Sequence, residues 1–263
     1  NIDNITNTIR NHPCFTHPVF DHWAEAKPSV RELGALFHHI GQLCEASRWP
    51  HDFGDGLDQL DHEDARETLR KIALSEEDHG PQLACMVGHI VNKVANEPLF
   101  EDLSDQKGIE DWSKSCSSYY LGRLPGYDVD AGTTPHDRAI ARVFARRKLT
   151  DTDSTYKNVG TLLAIEMLAN NQIIPGEYRC LIHSGAYPLD IASPELEYLR
   201  EHGGDDGGAE EWHEREAIKA VSGVLTEDNQ GLIEDGAVEC LDAIQGLFDL
   251  LDSAFCVRDA ELN

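Results

Sequence analysis

The sequence predicts an all-α protein, on three observations. Apolar residues recur at helical spacing along most of the chain, helix-start signals precede several of these segments, and there is neither period-two alternation nor an internal repeat. We expect one helical-bundle domain over residues 1–263. An irregular N-terminal arm is expected at about 1–28, because His12-Pro13 and His17-Pro18 should interrupt an early helix.

The first predicted helix begins at a capping-box pattern, Ser29 to Glu32, and runs to about Ser47. The second spans about 63–96 and should be kinked at Gly80-Pro81, since proline cannot donate a backbone hydrogen bond. Further helices are expected at about 109–121, 135–149, 154–173, 194–224 and 231–256.

Proline and glycine set several of these boundaries. Thr134-Pro135 and Ser193-Pro194 are typical helix starts, and Ile174-Pro175-Gly176 is expected to end the helix over 154–173. The glycine-rich run at 203–208 is unusual inside a helix, since each glycine costs about 1 kcal/mol relative to alanine. It should either break the 194–224 helix or leave it marginally stable.

The charge balance excludes one class of partner. The chain has 48 acidic and 22 basic residues, a net charge of −26, whereas nucleic-acid binding needs clustered lysine and arginine. No run approaches the roughly 18 apolar residues of a membrane span, so no membrane partner is expected. The seven cysteines include no Cys-x-x-Cys, which favours a reducing cytoplasmic location over a disulfide framework or a zinc site.

Two copies of one spacing carry the strongest functional signal. Glu76 and His79, and likewise Glu210 and His213, are each separated by one helical turn and so share a helix face. Glu166 lies on the apolar face of its own helix, where an unpaired carboxylate would cost several kcal/mol. Any one of these could be a hydrogen-bonded core residue, but together they indicate a metal site.

Three more residues are candidate ligands. His202 and Asp206 share the inward stripe of the 194–224 helix with Glu210 and His213. Glu45 lies at the edge of the apolar stripe of the first helix, where it could be a ligand, a solvated side chain or a residue that supports a ligand. An oxygen-rich set with few imidazoles suits iron or manganese better than zinc or copper.

The order of these motifs resembles a known family, the haem-oxygenase-like di-iron oxidases and oxygenases. The resemblance covers nearly the whole chain and rests on His17-Pro18-Val19-Phe20, Glu76, Glu166, Tyr198 to His202, and Glu210 to His213. It implies a haem-oxygenase-like seven-helix bundle in which the metal ligands are Glu45, Glu76, His79, Glu166, His202, Glu210 and His213. Here His202 and His213 are eleven positions apart instead of the family's seven, which leaves Asp206 or Glu210 as the carboxylate between them.

The resemblance also implies a chemistry. Two Fe(II) ions, or manganese, would use O2 as co-substrate, with Glu76, Glu166 and Glu210 as the catalytic carboxylates. The expected partners are a small amino-acid-, amine- or fatty-acid-like substrate, an external electron donor and a second copy of the chain in a homodimer. The reaction would be N-oxygenation, desaturation or oxidative C–C cleavage in a biosynthetic pathway.

Three other interpretations remain open. A ferritin-like four-helix bundle fits the same ligand spacing. A metal-free thiaminase-II-like hydrolase would use Cys44 or Cys180 as nucleophile, and a non-catalytic helical binding protein would hold the acids and histidines as a polar core network. Separately, Arg138, Arg142 and Arg146 recur at helical spacing, as a carboxylate-binding face or an exposed basic one.

Overall fold

The computed structural model describes residues 1–48, 56–75, 79–203 and 208–257. Within these ranges the chain is helical, with one isolated antiparallel bridge between Asp128 and Thr133 and no strand, so the all-α prediction is confirmed. The α-helices are α1 Ile2–Arg10, α2 Val19–Ala26, α3 Val30–Ser47, α4 Glu63–Leu74, α5 His79–Val94, α6 Gln106–Leu121, α7 Pro135–Ala145, α8 Thr152–Leu168, α9 Ile174–Glu177, α10 Glu197–His202, α11 Gly208–Val224 and α12 Gln230–Leu251. No helix among the described residues is long and apolar enough to cross a membrane.

Two closely packed helix pairs dominate the core: α8 with α12, and α3 with α6. In each pair, a glycine allows the two helices to pack closely. A Cβ on Gly160 would lie 1.8 Å from the carbonyl oxygen of Ile233, and one on Gly34 would lie 2.7 Å from Sγ of Cys116. Helix α11 packs between α4 and α8, which brings its inward face against both.

The N-terminal region is helical, and the predicted irregular arm at 1–28 is wrong. Helix α1 is capped by the Asn1 side chain and buries Ile5 and Ile9, one turn apart, against the bundle. The two prolines lie between helices rather than inside them: Pro13 begins a short 3₁₀ turn and Pro18 precedes α2. Proline at a helix start costs no hydrogen bond, because the backbone N–H at that position would have no acceptor within the helix.

Two long predicted helices are divided. The segment predicted at 63–96 forms α4 and α5, and Pro81 lies in the first turn of α5 instead of at a kink. The segment predicted at 194–224 forms α10 and α11, with Gly203 extended at φ −142° and ψ −163°. Of the two outcomes expected for the glycine run, the break is therefore the one observed.

The helix predicted to end at Ile174-Pro175-Gly176 continues beyond it. Two π-helical segments, Ala169–Ile173 and Tyr178–His183, flank α9 and carry helical structure to His183. A π-type insertion changes which carbonyl each amide meets, so a proline without an N–H fits at this point. The remaining predicted helices are confirmed, including both hydrogen bonds of the capping box at Ser29.

Candidate metal centre

Three of the predicted ligands meet in the core. One ligand atom from each of Glu166, Glu210 and His213 lies within 4.8 Å of the other two. Glu166 is on α8, the other two are on α11, and all three side chains are buried. The contact between α8 and α11 thus brings together residues that are more than forty positions apart in the sequence.

His213 lies between the two carboxylates. Its Nδ1 is 3.3 Å from Oε2 of Glu166 and 3.7 Å from Oε2 of Glu210. Its Nε2 is 2.7 Å from the Ser75 hydroxyl, which itself donates to the Ile72 carbonyl and therefore accepts from His213. This fixes the ring with Nδ1 toward the acids, the orientation that a hydrogen-bonded metal ligand requires.

Electrostatics make His213 a cation in the metal-free protein. Burial opposes the charged form, but hydrogen bonds and charge interactions with Glu166 and Glu210 outweigh it and raise the pKa of His213 to about 10. The proton on His213 thus balances part of the negative charge of the two acids. A bound cation would take over that balance when the proton leaves.

Two further histidines adjoin the cluster. Nε2 of His202 lies 3.1 Å from Nδ1 of His79 and 3.6 Å from Oε1 of Glu210. Nδ1 of His202 lies 2.6 Å from the Tyr198 carbonyl oxygen, which can only accept, so the hydrogen is on Nδ1. In a neutral ring the Nε2 lone pair then points at His79 and Glu210, where a metal would use it.

The two oxygens of Glu210 face different imidazoles. Oε1 is the atom nearest His202, and Oε2 is the atom nearest His213. Glu210 would therefore be within reach of a cation held by either histidine.

The structure does not bring every predicted ligand to this cluster. Glu45 is exposed, with a side chain 71% accessible, and its Oε2 lies 3.3 Å from a guanidinium nitrogen of Arg48. It therefore does not join the buried group in this structure. Glu76 and Asp206 lie outside the described residues, and their assignment as ligands stays a prediction.

Sequence reasoning missed Glu177, a buried acid whose charge interacts with that of Glu210. Its side chain is fully buried, and neither carboxylate oxygen has a hydrogen-bond partner in the described structure. Burial, together with the charge of Glu210, raises the pKa of Glu177 to about 8. The missed signal was the spacing of eleven residues from Glu166, about three helical turns, which is informative only if the helix continues through Pro175.

Two cavities adjoin the cluster. A recess of about 70 Å³ is lined by His79, Glu166, His202 and Glu210. A larger cavity of about 450 Å³ lies on the other side of the C-terminal end of α3, and Cys44 and Arg48 line both. The cluster is thus next to a space that can hold a small molecule.

A second constellation has the composition of a catalytic triad. Nδ1 of His39 lies 2.9 Å from Asp137, and its Nε2 lies 2.7 Å from the Ser117 hydroxyl. All three are buried, Asp137 also caps α7, and none of the three lines either cavity. The Ser117 hydroxyl is buried and also hydrogen-bonded to Tyr127, so this group ties α3, α6 and α7 together.

The two alternative nucleophiles differ in access, since Cys44 lines both cavities and Cys180 lines neither. Cys180 is fully buried, and burial raises its pKa well above the ordinary value, which keeps it a thiol. Sγ of Cys44 lies 3.6 Å from the Tyr198 hydroxyl. Arg138 binds the Thr133 carbonyl and Arg146 pairs with Glu239. These two arginines, like exposed Arg142, line neither cavity.

Comparisons with known proteins give no family for this chain, so a functional assignment rests on the geometry of the site. No protein-family model matches the sequence, and no curated protein is significantly similar to it.

Proposed function

We propose that this protein is an O2-activating non-haem di-iron oxidase or oxygenase that acts on a small substrate. The observation that carries the proposal is the position of Glu210, one of whose oxygens is nearest His202 and the other nearest His213. Glu166 adds a second carboxylate beside His213, and His79 adds a third imidazole beside His202. Mixed carboxylate and imidazole ligation is the kind that non-haem iron uses, and Glu76, outside the described residues, is the expected further carboxylate.

The buried residues suit a metal ion in their charge as well as in their ligand atoms. Two buried carboxylates next to one protonated histidine need compensating positive charge, since burying unpaired charge costs several kcal/mol. Binding of a divalent cation would displace the His213 proton and leave Nδ1 free to coordinate. The Ser75 hydroxyl and the Tyr198 carbonyl already hold the outer nitrogens of His213 and His202.

The role of each residue follows from its position. Glu166, Glu210 and His213 would hold one ion, and His79 and His202, with Glu210 shared, would hold the other. Bound iron supplies the reduction of O2 and the oxidation of the substrate, with electrons from an external donor. Ile40, Leu43, Ile165 and Phe248 give the recess apolar walls, which would limit the access of water to a reacting molecule held there.

The finer fold assignment belongs to the same proposal. We infer a haem-oxygenase-like bundle rather than a ferritin-like one, because His202 comes from a separate short helix, α10, and lies beside the cluster as an additional imidazole. A four-helix site built from two Glu-x-x-His helices and two further glutamates does not use such a residue. Glu76, three positions before His79 in the sequence and outside the described residues, is the expected further carboxylate.

Metal stoichiometry tests the proposal directly. The purified chain is stripped with a chelator, loaded with Fe(II) under anaerobic conditions, desalted and assayed for iron; close to two ions per chain are expected. Glu166→Ala should lose at least one of them, because removal of a carboxylate leaves excess positive charge at the metal. Glu214→Gln is the matched control, since Glu214 is also buried on α11 but binds Asn171 instead of the cluster.

One outcome would reject the proposal, and a second would remove Glu166 from the ligand set. A chain that stays iron-free while its fold is intact would make Glu166, Glu210 and His213 a polar network of a non-catalytic protein. Retention of two ions in Glu166→Ala would make Glu166 a structural acid.

A further inference from the structure

The 450 Å³ cavity lies between α3, α5 and α6 and adjoins the 70 Å³ recess where the two share lining residues. Cys44 and Arg48, at the C-terminal end of α3, line both spaces. On the α5 side, His79 lines the recess and its neighbour Gly80 lines the cavity. A molecule in the cavity would therefore approach the cluster past Arg48 and Gly80.

Arg48 presents its guanidinium at this junction. One of its terminal nitrogens lies 3.3 Å from Glu45, and a Cβ on Gly80 would lie 2.8 Å from the other. The absence of a side chain at residue 80 thus leaves the room that Arg48 occupies. Glu45 also lines the cavity, so the wall carries a positive and a negative group side by side.

The charges around the cavity disfavour a simple anion. Its acidic lining residues are Glu45, Glu110 and Asp111, its basic ones are Arg48 and Lys114, and burial lowers the pKa of His38 to about 4, so that it is neutral. In a chain of net charge −26 a lone carboxylate would be repelled on approach. A lone amine would leave Arg48 without a ligand at the junction. A zwitterion offers a carboxylate to Arg48 and a positive charge to Glu45.

We propose that this cavity binds a small α-amino acid, with its carboxylate on Arg48 and its ammonium on Glu45. An α-amino acid carries its two charges next to each other, in the arrangement complementary to the Arg48–Glu45 pair. Guanidinium groups bind carboxylates through paired N–H donors, which adds orientation to the charge attraction. The inference rests on the proposed function only in naming this amino acid as the substrate of the adjoining metal centre.

The remaining walls select the side chain. Phe37, Leu83, Ala84, Val87 and Ile109 give one side of the cavity an apolar surface. The volume admits an unbranched aliphatic side chain with space to spare. Norleucine is therefore a suitable probe, and hexanoate and pentylamine are its matched counterparts, each of which lacks one of the two charged groups.

The test measures binding of the three probes to the full chain by isothermal titration calorimetry, metal-free and loaded with Mn(II). Norleucine should bind at least ten times more tightly than hexanoate or pentylamine in both forms. Arg48→Gln should weaken norleucine binding at least tenfold and leave pentylamine unchanged, and Glu45→Gln should weaken norleucine but not hexanoate. Arg70→Gln, an equal charge change at an arginine paired with Asp58 outside the cavity, should change nothing.

A further variant keeps the test valid if loss of Arg48 harms the fold. Gly80→Ala alters no charge and favours the helix, but its methyl group would displace the guanidinium, so norleucine binding should fall about as much as in Arg48→Gln. Hexanoate binding equal to norleucine binding, or norleucine binding unaffected by Arg48→Gln, would overturn the inference. Norleucine binding without metal binding would overturn the proposed function alone, and metal binding without selectivity for norleucine would overturn this inference alone.

Discussion

Nε2 of His202 lies 3.1 Å from Nδ1 of His79, although 123 positions separate them in the sequence. Two imidazole nitrogens this close share one proton or one ligand. Because the Nδ1 hydrogen of His202 is donated to the Tyr198 carbonyl, its Nε2 is the acceptor of the pair. The arrangement places α10 and the described start of α5 beside the cluster of Glu166, Glu210 and His213.

His202→Ala should reduce iron loading from two ions per chain to about one. The ring contributes a nitrogen on the His79 side of Glu210, and the Glu166–His213 side does not depend on it. Iron assay after anaerobic loading measures the change. His22→Ala, at a histidine that pairs with Asp252 at 2.8 Å outside the cluster, should keep both ions. Full loading of His202→Ala would remove His202 from the ligand set.

Glu210→Ala and Asp206→Ala should differ. Glu210 faces both His202 and His213, so its loss should reduce loading and weaken the ion that remains, whereas Asp206→Ala should keep two ions. Iron content and the magnetic coupling between two ions in the loaded protein, measured by Mössbauer spectroscopy, separate the variants. The reverse result would make Asp206 the carboxylate between the two histidines.

Glu177 should make stability depend on pH. Its folded-state pKa of about 8 lies above the ordinary 4.5, so the folded chain holds a proton that the unfolded chain releases. Stability from this group is therefore greatest below about pH 4.5 and falls as pH rises toward 8, by up to about 1.4 kcal/mol per pH unit. Urea unfolding of the metal-free protein between pH 5 and 8 measures the slope.

Glu177→Gln should flatten that slope and make the protein more stable than wild type at pH 8, because the amide has no charge to bury. Glu63→Gln, at an exposed acid of α4, should leave the slope as in the wild type. A slope unchanged by Glu177→Gln would mean that Glu177 is not the buried proton acceptor.

Gly160→Ala should destabilise the bundle. Its methyl group would lie 1.8 Å from the Ile233 carbonyl oxygen, so α8 and α12 would have to separate, at a cost of about 1–3 kcal/mol. Gly41→Ala in α3 is the matched control, because nothing lies within 4 Å of the added carbon. There the better helix propensity of alanine should increase stability by up to about 1 kcal/mol. Thermal unfolding of both variants measures the contrast.

The sequence by itself determined the helices and the inward acids of the core. Helical periodicity and capping residues predicted α3, α6, α7 and α12 near their observed bounds, because these are local signals. The same periodicity predicted Glu166, Glu210 and His213 as inward residues, since a residue's face on a helix follows from its position in the apolar stripe.

Tertiary structure decided what periodicity cannot. The sequence could not show that Pro13, Pro18 and Pro81 begin or separate helices, or that the helix continues through Pro175 and buries Glu177, because proline is compatible with both outcomes until the neighbouring packing is known. Nor could it show that Glu45 is exposed beside Arg48. Such placements depend on how α3, α5, α8, α10 and α11 pack against one another. Those contacts join residues far apart in the sequence, and only the folded chain fixes their distances.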